Sequence, residues 1–267
     1  MSTDNKRFSF GKNWLNYEKD INEDRIQIAK NSITELLRTN DLENLDVIDI
    51  GCGSGLFSLA FKLQGANIYS FDYDPDSVKC TQLVKSKYFD DDDSWVVEQG
   101  SVLDLDYMNK LPNFDLVYSW GVLHHTGEMW KAIENASNKV KPGGQLFIGI
   151  YKYLGVKSSM WTAIKKFYNI NFIARWLTIA VFVPYYLLRG FVEDIVRFKN
   201  PRKRYMDYKN ERGMSKYYDW IDWIGGYPYE DATKEELVDF VENLGFKLFN
   251  SKDVEMIELV FDKLKED

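Results

Sequence analysis

Residues 47–55 read VIDIGCGSG, a short apolar run that takes in an acid and then three glycines at every second position. With the residues before it this forms "LDVIDI" (45–50), nearly continuous and rich in β-branched side chains, as a strand buried on both faces of a parallel sheet is. A glycine turn between such a strand and a helix lets backbone N–H groups approach a ligand with no Cβ in the way. Dinucleotide sites use the same device, so the glycines alone do not choose the ligand. Three neighbours do. The spacing Gly51-x-Gly53-x-Gly55 puts Leu56 where a dinucleotide fingerprint wants a third small residue. Asp49 stands two places before the first glycine, where a carboxylate repels a pyrophosphate and suits an ammonium or a sulfonium. Asp72 lies 17 residues after Gly55, at the end of the next expected strand, where a carboxylate accepts bonds from two ribose hydroxyls. A ribose and a cationic group without phosphate describe S-adenosylmethionine.

Outward from this turn, strand and helix patterns alternate. In "EDRIQIAKNSITELLRT" (23–39), Ile26, Ala29, Ile33, Leu36 and Leu37 mark one helical face. "LFSLAFKLQG" (56–65) reads as a helix stopped by Gly65, "ANIYSFD" (66–72) as a second strand, and "PDSVKCTQLVKSKY" (75–88) as a helix with Pro75 in its first turn. "SWVVEQG" (94–100) and "FDLVYSW" (114–120) are the third and fourth strands; "GEMWKAIENASNKV" (127–140) is a helix, "KPGG" a turn and "QLFIGIYK" (145–152) the fifth strand. "TKEELVDFVENLG" (233–245) is a last helix before "FKLFNSK" (246–252) and "EMIELVFDK" (255–263), two strands joined by a short link. The order predicts an α/β fold: a doubly wound, mostly parallel seven-stranded sheet with an antiparallel C-terminal strand pair and a helical cap insert. Residues 1–150 and 216–267 are expected to form the cofactor-binding domain, and 151–215 the insert.

The 267 residues are 45% hydrophobic and 28% charged, the proportions of an ordinary globular protein. Cys52 and Cys80 supply neither a disulfide framework nor metal-ligand spacing, and "MSTDNKRFSF" lacks the apolar core of a signal peptide, so no metal and a cytoplasmic location are expected. The net charge of −7 argues against general nucleic-acid binding, but it is spread unevenly. Residues 151–215 hold thirteen Lys or Arg against four Asp or Glu, a net +9 that leaves −16 on the remainder. "DDDD" (90–93) has no ligand spacing and reads as a solvated loop.

"VIDIGCGSG", "SFDYDP", "EQGSVLDL", "FDLVYSWGVLHHT" and "VKPGGQLFI" follow one another in an order and spacing that resemble the class I S-adenosylmethionine-dependent methyltransferases. The resemblance implies that Asp49, Gly51, Cys52, Gly53 and Gly55 hold the methionine portion of the cofactor. It implies that Asp72 takes the ribose, Tyr73 lies against the adenine, and Ser101 and Val102 flank the adenine edge. Many members carry Asp where this chain has Ser101. Ser119 and Trp120, ending the fourth strand, would lie under the cofactor, whose product form is S-adenosylhomocysteine. "FSFGKNW" (8–14) and "GVLHHTGEMWKAIEN" (121–135) are similar to the ubiquinone-biosynthesis-like small-molecule O-methyltransferases, a group whose acceptors include quinols, sugars and lipids.

In open α/β sheets ligands bind beyond the carboxyl ends of the strands. The only two histidines of the chain, His124 and His125, are adjacent and follow the fourth strand directly. Methyl transfer to a hydroxyl needs in-line approach and removal of a proton, and an imidazole suits the second task. In the family resembled, the position of His125 is commonly a histidine that packs and hydrogen-bonds to the loop, so His124 is the one of the two more expected to face the acceptor. "YYDWIDWIGGYPYEDAT" (217–233) is the second candidate. Asp222, Tyr227, Tyr229 and Glu230 are expected to meet the acceptor, together with Tyr151 at the end of the fifth strand. Asp222 or Glu230 is the alternative base, and an aromatic plug is the structural alternative. Phe10, Trp14 and Tyr17 of the N-terminal arm are expected either to close over the cofactor and exclude water or simply to dock a helix.

The insert contains "FIARWLTIAVFVPYYLLRGFVEDIVRF" (172–198), whose uncharged run, 176–188, is 13 residues. A membrane span needs about 20. Arg175 and Arg189 bracket the run, Pro184 should kink it, and "RFKNPRKR" (197–204) follows with five positive charges in eight residues. A helical cap over the acceptor, a surface through 172–204 that meets anionic lipid headgroups, and a dimerisation face all fit this composition. The first two coexist if the acceptor is lipid-linked or prenylated. No Asn/Asp-Pro-Pro-aromatic tetrapeptide of the kind used to methylate base amines is present, and no nucleic-acid partner is expected. O-methylation of a small-molecule, sugar, lipid-linked or quinol-type acceptor is the expected function. N- or C-methylation, or an inactive cofactor-binding protein recruited to membranes, are its rivals.

Overall fold

The computed structural model describes Phe8, Gly11, Trp14 and residues 21–204, 216–254 and 256–265, so Phe10 and Tyr17 lie outside the described residues. Strands β1 (Asp46–Ile50), β2 (Asn67–Asp72), β3 (Trp95–Gln99), β4 (Phe114–Trp120), β5 (Val140–Tyr151), β6 (Phe246–Asp253) and β7 (Met256–Lys263) form one sheet in the order β3-β2-β1-β4-β5-β7-β6. The first five run parallel, with Ile48 opposite both Tyr69 and Val117. Strand β7 enters antiparallel between β5 and β6. The helices are α1 (Glu23–Leu37), α2 (Leu56–Lys62), α3 (Pro75–Tyr88), α4 (Leu105–Lys110), α5 (Met129–Ser137), α6 (Val156–Tyr168), α7 (Phe172–Val196), α8 (Lys216–Gly225) and α9 (Lys234–Glu242).

Side-chain alternation along β1 builds the two layers. Val47 joins Ile33, Leu36, Leu59, Trp95 and Phe147 beneath α1, α2 and α3. Ile48 and Ile50 join Val117, Ile133, Leu146, Leu237 and Phe246 beneath α4, α5 and α9. Both faces are covered, which is why the parallel strands read as continuous apolar runs. Strand order reverses between β1 and β4, and the crevice at such a switch point is where an open α/β sheet binds ligands. The glycine turn after β1 and the histidine turn after β4 meet there: a Cβ on Gly51 would lie 2.4 Å from the Val122 side chain.

Two local readings differ from expectation. "KPGG" is not a turn but an irregularity inside β5: Phe114 already pairs with Val140 and Leu116 with Gln145, so the intervening residues are absorbed as a register shift. Helix α4 was not foreseen, because six residues are too few to show a period; the Asp104 side chain caps it by accepting from the Tyr107 N–H at 3.1 Å.

The chain leaves the sheet at the end of β5 and returns beside it. The Ala232 N–H donates to the Tyr151 carbonyl at 3.2 Å, and the Tyr153 N–H donates to the Ala232 carbonyl at 2.9 Å. Between these points α6 and α7 form a hairpin against which α8 packs. The Asn171 side chain starts α7 by accepting from the Ala174 N–H. Pro184 lies inside α7, and the helix runs through it.

Candidate active site

Gly51, Gly53 and Gly55 adopt φ of +80°, +53° and +77°, so the turn needs glycine at every second position. The N–H groups of Gly51 and Cys52 donate to the Phe71 carbonyl at 2.8 and 3.1 Å, which clips the turn to the end of β2. Asp72 completes the clip: Oδ2 accepts from the Gly53 N–H at 3.0 Å and Oδ1 from the Asp74 N–H at 2.8 Å. Two backbone donors thereby fix the direction of the carboxylate beside the turn. Tyr73, next in the chain, is 40% exposed, and its carbonyl accepts from the Gln99 side chain. Ser101 follows β3, with its Oγ accepting from the Leu103 N–H. Val102 is buried, and its carbonyl accepts from the Asn135 side chain.

Asp49 is placed differently from a side chain that reaches into the crevice. It is buried, and its Oδ2 accepts from the Ser58 hydroxyl of α2 at 2.5 Å. Ser58 Oγ accepts in turn from Ser70 at 2.9 Å, and Ser70 Oγ from the Trp95 indole N–H at 3.0 Å. Burial raises the carboxyl from 3.8 to about 7, the Ser58 bond opposes the rise, and the Asp72 charge adds to it. Asp49 therefore sits behind the turn as a buried acid that keeps its proton more readily than an exposed carboxyl. Cys52 also turns inward: its sulfur accepts from Thr81, and burial, with Asp72 and Asp49, pushes the thiol up.

Phe8, Gly11 and Trp14, the described residues of the N-terminal arm, contact this end of the sheet. A Cβ on Gly53 would meet the Trp14 indole at 3.4 Å, and the Trp14 carbonyl accepts from Cys80. The Gly11 N–H donates to Asp74, and the Phe8 N–H to the Tyr227 carbonyl at 2.9 Å. Trp14 thus contacts the glycine turn, Gly11 the start of α3 and Phe8 the 217–233 segment.

On the other side of the crevice, Leu123–His125 form a single 3₁₀ turn that leaves the two imidazole rings in contact, 4.4 Å apart, but with different partners. His125 Nδ1 lies 2.6 Å from the Pro228 carbonyl. A carbonyl only accepts, so Nδ1 carries a proton toward it. His124 is fully buried, with neither ring nitrogen hydrogen-bonded. Burial, reinforced by His125 and Lys165, pushes its pKa well below the ordinary value, so it is neutral. Its ring packs 4.2 Å from Tyr151, whose ring also meets His125 edge-on at 5.5 Å. Tyr151 in turn contacts Trp223 and Tyr229 at 5.4 and 5.6 Å.

This cluster contains a residue that sequence reasoning missed. Lys165 of α6 is buried, and its ammonium stands 4.4 Å from the Trp223 ring and 4.9 Å from the Tyr229 ring while donating to the Trp223 carbonyl. The rings favour the charged form, but burial outweighs them and lowers the pKa to about 7, against the pull of Asp222. Lys165 sits beside Lys166 in the sequence with nothing to mark it; only helix phase, which buries Ser158, Lys165 and Tyr168, separates the two.

Among the other expected site residues, Tyr229 lies in this cluster and donates to Asp231. Glu230 is committed elsewhere: its carboxylate accepts from the Met129 N–H at 3.0 Å at the start of α5, and burial raises its pKa despite that bond. Tyr227 contacts the arm through its carbonyl. Ser119 is buried and donates to the Ile50 carbonyl. Trp120 points over β5 toward β7, bonded to Glu258 at 2.7 Å. The structure brings together Gly51, Gly53, Asp72, Tyr73 and Trp14 on one side and His124, His125, Tyr151 and Tyr229 on the other. It ties Cys52, Ser119 and Glu230 into the framework.

A twisted sheet with its last strand antiparallel, carrying a carboxylate-flanked glycine turn at the switch point, defines a Rossmann-like nucleoside-binding domain of the methyltransferase type. A family model described as "Methyltransferase domain" matches residues 21–173, more than half of the chain. The chain belongs to this family, within the class I S-adenosylmethionine-dependent methyltransferases. Among curated relatives, the ubiquinone biosynthesis O-methyltransferase of Pseudomonas syringae pv. tomato is 29% identical over 136 residues, 51% of this chain and 56% of that protein. The 27-O-demethylrifamycin SV methyltransferase of Amycolatopsis mediterranei is 30% identical over 105 residues, 39% of this chain and 37% of that protein. The chain thus spans 56% and 37% of the lengths of these two relatives. Among solved structures, magnesium protoporphyrin IX methyltransferase from Synechocystis PCC 6803 with bound SAH shares the fold, with a TM-score of 0.54 at 15% identity over 92% of this chain and 86% of that one. An O-methyltransferase family protein from Burkholderia thailandensis gives 0.58 at 12% identity over 90% and 57%. The cradle fits the cofactor of the family: a Cβ-free turn, a carboxylate held in direction by two backbone N–H groups beside it, and a second acid buried behind it.

Proposed function

We propose that the chain transfers the methyl group of S-adenosylmethionine to an oxygen atom of a small-molecule acceptor, and that the acceptor carries an aromatic or extended apolar portion. The bound cofactor supplies an electrophilic methyl carbon on a positive sulfur. Asp72 receives the ribose hydroxyls in this reading, the backbone from Gly51 to Gly55 lies along the methionine portion, and Tyr73 takes the adenine face. Trp14 covers the turn and keeps water from it.

One observation carries the assignment to oxygen. The Pro228 carbonyl orients the His125 ring through Nδ1, and in this reading Nε2 is the nitrogen that takes the proton of an acceptor hydroxyl. Tyr151 holds the imidazole edge-on, so the base needs no reorientation. The wall formed by Tyr151, Trp223 and Tyr229 favours a quinol-type or lipid-linked acceptor over a sugar. The segment 151–215 acts as the cap of this pocket, the remainder as the cofactor domain, and the same cap brings the enzyme to an anionic membrane surface.

The test is release of S-adenosylhomocysteine from S-adenosylmethionine with a panel of catechols, quinols and prenylated phenols, set against sugars and amines. Turnover confined to hydroxylated aromatics and lost in His125→Ala supports the proposal. Full turnover in a His124→Ala/His125→Ala pair points to an amine acceptor, since a neutral amine needs no base. Cofactor binding without turnover on any acceptor would favour a binding protein instead.

A further inference from the structure

Helix α7 is built inside out. Its buried positions are Ala174, Thr178, Gly190 and Asp194, all small or polar. Ile179, Phe182, Val183 and Tyr186 are half-buried, with Phe182 on Trp161 and Tyr186 on Trp220. Most of the large apolar side chains look outward: Phe172, Trp176, Val181, Leu188, Val192 and Val196 are each 50–71% exposed and recur along the full helix. The buried polar groups are satisfied, so the helix is seated the right way round. Thr178 donates to the Ala174 carbonyl, and Asp194 takes Arg204 through both oxygens at 2.6 and 2.7 Å. Helix α6 repeats the pattern, with Val156, Met160 and Phe167 exposed and Ile170 exposed at the hairpin tip. At 25 residues α7 is about 37 Å long, so the apolar stripe extends across most of a domain.

Charge frames the stripe. Arg175, Arg189, Arg197, Lys199, Arg202 and Lys203 are exposed along α7 and beyond its end. The two acids of the helix, Glu193 and Asp194, are both engaged by arginines. Among the described residues no helix is long and apolar enough to cross a membrane. A helix with one apolar face, aromatic side chains and a basic border is the form that lies in the plane of a bilayer interface.

We propose that the outer face of the α6–α7 hairpin docks on an anionic lipid bilayer, with α7 parallel to its surface. A second copy of the chain is the poorer occupant, because a two-fold contact through this face would set two segments of net +9 against each other. An anionic surface attracts the insert and repels the remainder, which carries −16, so one charge distribution both binds and orients the molecule. The docking does not depend on the reaction assigned to the site, and its test reads binding rather than turnover.

The experiment is co-sedimentation with phosphatidylcholine vesicles, with and without phosphatidylglycerol, at low and high salt. The wild type is expected to sediment with the anionic vesicles, less with neutral ones, and less as salt rises. Trp176→Glu/Leu188→Glu alters the apolar face, and Arg202→Glu/Lys203→Glu the basic border; Arg204 is spared because it holds Asp194. Each pair is expected to lower partitioning at least tenfold, since each basic group near an anionic surface contributes about fivefold. Far-ultraviolet circular dichroism and S-adenosylhomocysteine binding should be unchanged in both. Wild-type protein that stays in the supernatant would overturn the proposal. So would sedimentation that the face variant retains, or a lipid-free dimer that Trp176→Glu/Leu188→Glu dissociates.

Discussion

Replacing Asp49 by Asn should make the protein more stable at high pH, although Asp49 belongs to the motif that defines the family. The folded state raises this carboxyl from 3.8 to about 7, chiefly by burial. In the unfolded chain the group titrates near 3.8, so between these two values the folded state holds a proton that the unfolded state has released. Stability therefore falls as pH rises through this window. Over the gap, at about 1.4 kcal/mol per pH unit, the loss is under about 1 kcal/mol at pH 4 and about 4 kcal/mol at pH 8. An Asn side chain exchanges no proton, and its Oδ1 still accepts from Ser58. Any packing offset of the amide is the same at both pH values, so only the change in the difference matters. Urea unfolding of the unliganded wild type and Asp49→Asn, followed by circular dichroism at pH 4 and pH 8, should show the gap moving by about 3–4 kcal/mol in favour of the variant. A gap that does not move would refute the buried, high-pKa carboxyl. The same linkage makes cofactor binding near pH 6 release a proton, because a cation in the crevice favours the ionised acid.

His125→Ala should lower kcat by roughly a hundredfold or more, with the calorimetric affinity for S-adenosylmethionine intact. His124→Phe should keep or raise the melting temperature, since it replaces a buried ring with two unsatisfied nitrogens by an apolar ring of similar shape. Lys165→Met should stabilise the fold most below pH 7 and progressively less toward pH 10, because the penalty of a buried amine with a pKa of about 7 fades as the unfolded lysine also loses its proton. The same variant should lose turnover if the amine faces the acceptor. Trp14→Ala should weaken S-adenosylmethionine binding about tenfold in calorimetry, by uncovering Gly53.

The sheet was legible because each strand of the parallel core is a short β-branched run, and each turn after it carries the glycine or acid that its geometry demands. The switch point followed from chain order alone. The direction of a side chain did not. Asp49 is marked by its place before the glycines, but its bond to Ser58 requires α2 to pack across β1. His124 and His125 are neighbours of one type, and a 3₁₀ turn of three residues decides that one is sealed and the other held by Pro228. Glu230 looks like a candidate base until the start of α5 claims it. In α7 composition showed the apolar and basic mixture, while only the packing shows that the small and polar stripe faces inward.

The central claim is that the turn from Gly51 to Gly55, with Asp72, holds S-adenosylmethionine. Calorimetric titration of the cofactor into the wild type and into Asp72→Ala tests it most directly. Saturable binding by the wild type, weakened at least tenfold in Asp72→Ala, is the predicted result, since a charged acceptor of ribose hydroxyls is worth roughly 1.5–3 kcal/mol. No binding by the wild type, or equal binding by both proteins, would contradict it.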